Sequence, residues 1–131
     1  MAAVRGGLVY GVGAVRAAAR GDRRFWAIHR AALAHGIVPI VPVGVIAEGF
    51  RTEARADRIG DLLDGVEVEP LTAEGAQRIG QLAIRASTAD LIATSVAEIA
   101  ARRNCAVISA RQAALGNAAT LLGHKLVLHA I

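Results

Sequence analysis

The chain has 131 residues, 54% of them hydrophobic, with one cysteine, four aromatic residues and a net charge of +4. A single cysteine excludes an internal disulfide framework, and the scarcity of aromatics leaves the core to Ala, Val, Ile and Leu. The length fits one domain spanning 1–131 that buries roughly two-thirds of its unfolded surface. The longest apolar run, IVPIVPVGVIA, is too short and too proline-broken to span a membrane, so no membrane role is expected. Arg5, LVYGVGAV and Ala17–Ala19 have the outline of an export signal. That apolar stretch is short and glycine-diluted, so a cytoplasmic protein is expected.

In chain order, GLVY (7–10) reads as a short buried strand ending at Gly11-Val12-Gly13, and a helix fits Ala14–Arg20. Asp22 suits the N-cap of a second helix, 23–35, closed by Gly36, with Trp26, Ala27, Ala31, Leu33 and Ala34 at helical spacing. IVPIV (37–41) reads as a strand, and Pro42 fits the first turn of a third helix that carries Glu48. RTEARADRIGDLLDG reads as a charged helix with Ile59, Leu62 and Leu63 inward, and VEVEP alternates like an edge strand. Thr72 opens a long helix to about Ala86 with Ile79, Leu82 and Ala83 inward. Thr88 fits the cap of the next helix, 89–103, with Leu91, Ile92, Val96 and Ile99 inward. CAVIS (105–109) reads as a buried strand, Gln112–Leu122 as a helix closed by Gly123, and KLVLH as a last strand. Strands alternating with helices predict a three-layer α/β/α fold around a mostly parallel sheet.

Two acids stand out. Glu48 in VPVGVIAEGFR and Asp90 in STADLIATS are each the only carboxylate in an apolar or small-residue stretch, 42 residues apart. A carboxylate beside a core needs a metal, a cation or hydrogen bonds to compensate it. In parallel α/β folds the carboxyl ends of strands gather the functional groups, and Gly11, the Glu48 helix and Ser109-Ala110 follow such ends. The remaining charge is segregated: six arginines and one acid over 1–47, eight acids and three arginines over 48–74, six cations and two acids thereafter. Fourteen of the fifteen cations are arginine, which suits bidentate phosphate or carboxylate recognition and also follows from a biased codon usage.

With GLVYGVGAVRAAARGDRRFWA, VPVGVIAEGFR, GVEVEPLTAEGAQRIGQLAIRASTADLIATSVA and CAVISARQAAL leading to KLVLHAI, the chain resembles the PIN-domain family nearly end to end. That family comprises small metal-dependent ribonucleases, including VapC-type toxins of toxin–antitoxin pairs. The resemblance implies an acid directly after the first strand, where Gly11 stands, and one in the third helix, present as Glu48. It implies two acids three residues apart at a later helix start, where Asp90 is present and Ala93 replaces the second. A further acid is implied after the Ser/Thr of the fourth strand, where Ser109 is followed by Ala110. Such a nuclease holds Mg²⁺ or Mn²⁺ with clustered carboxylates to activate water. Magnesium can be held through one or two carboxylates plus substrate phosphate, so Glu48 and Asp90 retain at most a weak Mg or Mn site. The expectation is a pseudo-nuclease that acts through binding, its partners an RNA, an antitoxin-like protein or a second copy in a homodimer.

Two alternatives stay open: a residual endoribonuclease using Glu48 and Asp90, and a structural dimerisation module. Glu48 also reads as a helix acid paired with Arg51 or Arg55, and Asp90 as an acid favoured by a helix dipole. Ser109, Arg16, Arg20, Arg23 and Arg24 are candidate phosphate contacts, giving salt-sensitive and weakly specific affinity, while few aromatics argue against base stacking. Gly11-Val-Gly13 is no dinucleotide fingerprint, because Arg16 holds the third glycine's place. Cys105 reads as a buried inert thiol, and the four histidines do not form a metal set.

Overall fold

The computed structural model describes residues 7–131; Arg5 of the export-signal outline lies outside the described residues. The elements are β1 (Leu8–Tyr10), α1 (Val12–Ala19), α2 (Arg23–Ala34), β2 (Ile40–Pro42), α3 (Val43–Thr52), α4 (Ala56–Leu63), β3 (Glu67–Glu69), α5 (Ala73–Arg85), α6 (Leu91–Arg103), β4 (Ala106–Ser109), α7 (Ala113–Leu121) and β5 (Leu128–Ala130). The five strands form one sheet in the order β3-β2-β1-β4-β5, and every pairing is parallel. Helices α1, α3 and α4 pack together, and α6 packs with α5 and α7, which gives the expected α/β/α layering.

Burial follows from this arrangement. Parallel strands covered on both faces must be apolar throughout, and Val9, Tyr10, Val41, Val107 and Ile108 are all fully enclosed or nearly so. Ala14, Ala17 and Ala18 of α1 are buried with Val15, so small side chains let this helix lie close to its neighbours. At the edge, Glu67 and Glu69 of β3 pair with Arg103, and Glu69 also with Arg102, both in the last turn of α6. Cations there also complement the negative end of the helix.

Several boundaries differ from expectation for identifiable reasons. Helix α1 begins at Val12, two residues early, and runs through Gly13. The glycine is there for space: a Cβ on it would lie 3.0 Å from the Cβ of Ala110. Asp22 caps α2 as expected, accepting from the Phe25 amide at 2.8 Å, and Gly36 has the positive φ of 76° that a helix stop uses. The inward face of α2 is Phe25, His29 and Ala32, whereas Ala27, Ala31, Leu33 and Ala34 are exposed and Trp26 is half-buried. Hydropathy hides this register because a histidine occupies its centre. Strand β2 starts at Ile40, leaving Val38 outside it, and Pro42 is the cap of α3 and not part of its first turn. The charged stretch divides: α3 continues to Thr52, and α4 starts at Ala56 with Ile59 and Leu62 buried and Leu63 half-buried.

Thr88 does not cap α6. Its hydroxyl accepts from the Asp90 amide at 3.1 Å, while Asp90 itself caps the helix. Ser87, at φ 53°, turns the chain so that the helix begins late, and Leu91 points outward. Strand β5 lies at 128–130, three residues later than KLVLH begins.

His29 is buried beside Phe25 and Trp26, and its Nδ1 pairs with the Tyr10 hydroxyl at 2.7 Å. Burial, with the charge of Arg30, lowers its pKa from the ordinary 6.5. The unfolded chain therefore takes up this proton first. Its contribution is full above pH 6.5 and falls as the pH drops below that value. Urea unfolding between pH 7.5 and 5 should show a decline in stability that His29→Phe flattens, at a cost of about 1–3 kcal/mol from the unpaired Tyr10 hydroxyl.

Candidate functional site

A cleft of about 80 Å³ opens at the carboxyl edge of the sheet. Its walls include Gly11 and Arg16 of the β1–α1 region, Glu48 of α3, Asp90 and Ala93 at the start of α6, Ser109 at the end of β4, and Gln112 before α7. The fold thus brings together Glu48, Asp90, Gly11, Ala93, Ser109 and Arg16, which are scattered over a hundred positions of sequence. Ala110, Arg20, Arg23 and Arg24 are not among the lining residues. Arg20 pairs with Glu53 at 2.9 Å, and Arg23 and Arg24 are exposed in the first turn of α2. Arg20 lies one helical turn, about 6 Å, beyond Arg16 at the end of α1, and Arg23 and Arg24 follow the turn at Gly21.

The floor is set by one close approach. The Gly11 amide donates to the Ile108 carbonyl at 2.9 Å, which holds the ends of β1 and β4 together. Gly11 has φ −89° and ψ −176°, a backbone open to any residue, yet a Cβ there would lie 2.6 Å from the Cβ of Ser109 and closer still to its hydroxyl. Glycine is required for room. Because Gly11 occupies the cap of α1 without a side chain, Ser109 Oγ serves instead, accepting from the Gly13 amide at 3.2 Å. This cap comes from 96 residues away in sequence, so no local motif announces it.

Both acids are already engaged. Arg51 donates to Glu48 through Nε at 2.7 Å and through Nη2 at 2.6 Å, occupying both carboxylate oxygens. The Arg51 hydrogen bonds, then the charges of Arg51 and Arg16, hold the Glu48 carboxyl below its usual pKa. Asp90 Oδ1 accepts from the Ala93 amide at 2.9 Å as the cap of α6. Of the two expected partners, Arg51 takes Glu48 while Arg55 pairs with Asp57, and Asp90 is the N-cap of α6, one residue before its first turn.

Glu48 and Asp90 are a sparse carboxylate set for a divalent ion. Magnesium seeks oxygen lone pairs in near-octahedral array; here Arg51 takes one lone pair on each Glu48 oxygen and the Ala93 amide takes one on Asp90 Oδ1, so both carboxylates are partly engaged within their own helices. Among the described residues no group of three or more His, Cys, Asp or Glu side chains is arranged to hold a metal. Cys105 is buried at the opposite end of the sheet, and burial raises its thiol pKa, as expected of an inert cysteine. Among the described residues no helix is long and apolar enough to cross a membrane. No family model and no curated protein matches the chain.

The Gly11–Ser109 approach has a measurable consequence. Gly11→Ala should destabilise the fold by about 1–3 kcal/mol through overpacking, read as a lower denaturant midpoint. Adding Ser109→Gly removes the collision and should recover part of that loss, the remainder reflecting the missing cap of α1. Equal loss in the single and double variants would show that the two positions do not compete for space.

Proposed function

We propose that the protein is a degenerate PIN-type ribonuclease that binds RNA without cutting it. The observation that carries the reading is the cleft itself. It gathers Glu48 and Asp90 where such an enzyme would keep its acids, while Gly11 and Ala93 stand in place of two others and the remaining pair is engaged by Arg51 and the α6 amide. Activation of water by Mg²⁺ or Mn²⁺ needs open carboxylate oxygens around one ion. Glu48 and Asp90 supply too few. Binding asks only for donors and positive charge, and arginine offers both. Arg16 in the cleft is the leading contact with RNA; Arg20, Arg23 and Arg24 are not among its lining residues, and Arg20 is paired with Glu53.

Incubation of a mixed RNA pool with Mn²⁺ or Mg²⁺ should yield no cleavage by the parent protein or by Asp90→Ala. The same substitution should lower stability by about 1 kcal/mol, the typical loss for a helix cap. Cleavage by the parent that Asp90→Ala abolishes would establish the residual endoribonuclease instead.

Self-association is a second reading, supported by a separate feature. An apolar groove of about 180 Å³ runs between α5, α6 and the start of α3, lined by Val43, Leu71, Ile79, Leu91, Ile92 and Ile99. Val43, Leu71 and Leu91 are 41, 60 and 55% exposed, enough apolar surface on one face to favour burial by a second copy. Light scattering at micromolar concentration should report a dimer that Leu91→Glu converts to monomer. An antitoxin-like protein that fills the same groove would leave the isolated chain monomeric and would lose affinity on the same substitution.

A further inference from the structure

Counting the unspent donors and acceptors of the cleft gives a sharper identity for its ligand. The acceptors are partly engaged: each oxygen of Glu48 by Arg51, and Oδ1 of Asp90 by the Ala93 amide. The donors are not. The Arg16 side chain forms no hydrogen bond or ion pair among the described residues, and its Nε is enclosed without a partner. Ser109 is 2% exposed and accepts from Gly13, yet its own hydroxyl hydrogen meets no acceptor among the described residues. Gln112 lies at the mouth, where its side chain makes no cap bond to α7. Enclosed donors left unpaired cost free energy and call for an acceptor-rich guest.

We propose that this cleft is a metal-independent binding site for a single phosphate group, anchored by Arg16 and Ser109. The inference rests on the binding reading above and specifies what is bound. Arg16 brings to the cleft a permanent positive charge that needs no metal ion. A phosphate oxygen would take the Arg16 Nε hydrogen, and another the Ser109 hydroxyl. Arg51 offsets the charge of Glu48, and the charge of Arg16 stands against that of Asp90 in the same lining, so the phosphate is held by directed donors and not by a net positive cleft. The volume of about 80 Å³ suits one such group, given that a water needs roughly 10–15 Å³ measured the same way.

The test measures binding of inorganic phosphate, a nucleoside 5′-monophosphate and a short 5′-phosphorylated RNA by calorimetry or anisotropy, in EDTA and again with Mg²⁺. Affinity should be unchanged by Mg²⁺. Arg16→Gln should weaken it about 10-fold or more, as expected for loss of a charge-assisted bond. In the RNA arm it should also reduce the salt slope by about one. Arg16→Lys should be intermediate, keeping the charge and losing the fork. Gln112→Glu guards against misfolding of the Arg16 variants, since it alters an exposed side chain at the mouth. It should weaken phosphate binding, whereas a metal site would gain affinity for Mn²⁺. Binding of all three probes assigns a free phosphate ligand, and binding of RNA alone assigns a backbone phosphate; either supports the site. Binding that requires Mg²⁺, or that survives Arg16→Gln undiminished, overturns it. RNA cleavage by the parent would instead overturn the binding reading, so the two failures are distinguishable.

Discussion

The carboxyl ends of β1 and β4 approach so closely that position 11 has room for a hydrogen and nothing larger, and the rest of the cleft depends on that approach. The Gly11 amide is tied to the Ile108 carbonyl, and Ser109 fills the space a side chain on residue 11 would take. From there Ser109 reaches the Gly13 amide and caps α1. The start of α1 is therefore pinned to β4 before any of its own side chains act. Arg16 lies one turn along α1 from Val12, so the same contact fixes where its guanidinium enters the cleft. Small residues at 11, 13 and 110 are one solution to one steric problem.

Charge in the cleft obeys a similar economy. Glu48 and Arg51 are three residues apart on α3 and close on each other through two short hydrogen bonds. The Asp90 carboxylate is held at the amino end of α6, where the helix dipole and an unpaired amide favour it. Each acid is thus satisfied within its own helix. Beside the second oxygen of Asp90, the cavity holds a guanidinium and a hydroxyl hydrogen with no acceptor among the described residues, donors for which a metal centre has no use.

Much of the fold was legible because parallel α/β chains advertise themselves: apolar runs at LVY and AVIS, a turn glycine at 36, and caps at Asp22 and Thr72 all lie where the periodicity puts them. The failures share a cause. The inward face of α2 was misread because His29 counts as polar until its bond to Tyr10 is known, 19 residues away. Thr88 and Asp90 are both competent caps, and only the turn at Ser87 decides between them. At the site, the convergence of Glu48, Ser109 and Gly11 followed from strand ends, while Asp90 was joined to them by its place at a helix start and by the resemblance. The engagement of Glu48 followed from i, i+3 spacing. The competition between Gly11 and Ser109 did not, since it spans 98 positions and leaves no local pattern. The grouping of Arg16 with Arg20, Arg23 and Arg24 failed because Arg20, one turn on, pairs with Glu53, and the other two lie past the Gly21 turn on a second helix.

Ala93 shows why these features belong together. Its side chain is 4% exposed, and its amide is the donor that Asp90 accepts. A second carboxylate at 93 would stand buried beside Asp90, and two like charges so placed are costly unless a cation lies between them. The same holds at 11, where an acid would also have to displace Ser109. With no ion to offset the repulsion, each acid removed from such a cluster stabilises the fold. The last acids to persist should be those with another occupation. Glu48, bound to Arg51, and Asp90, serving as a cap, are the two that have one. On the proposed reading, a cleft relieved of its metal is expected to keep those acids that stabilise its helices and to turn its remaining donors toward an anion.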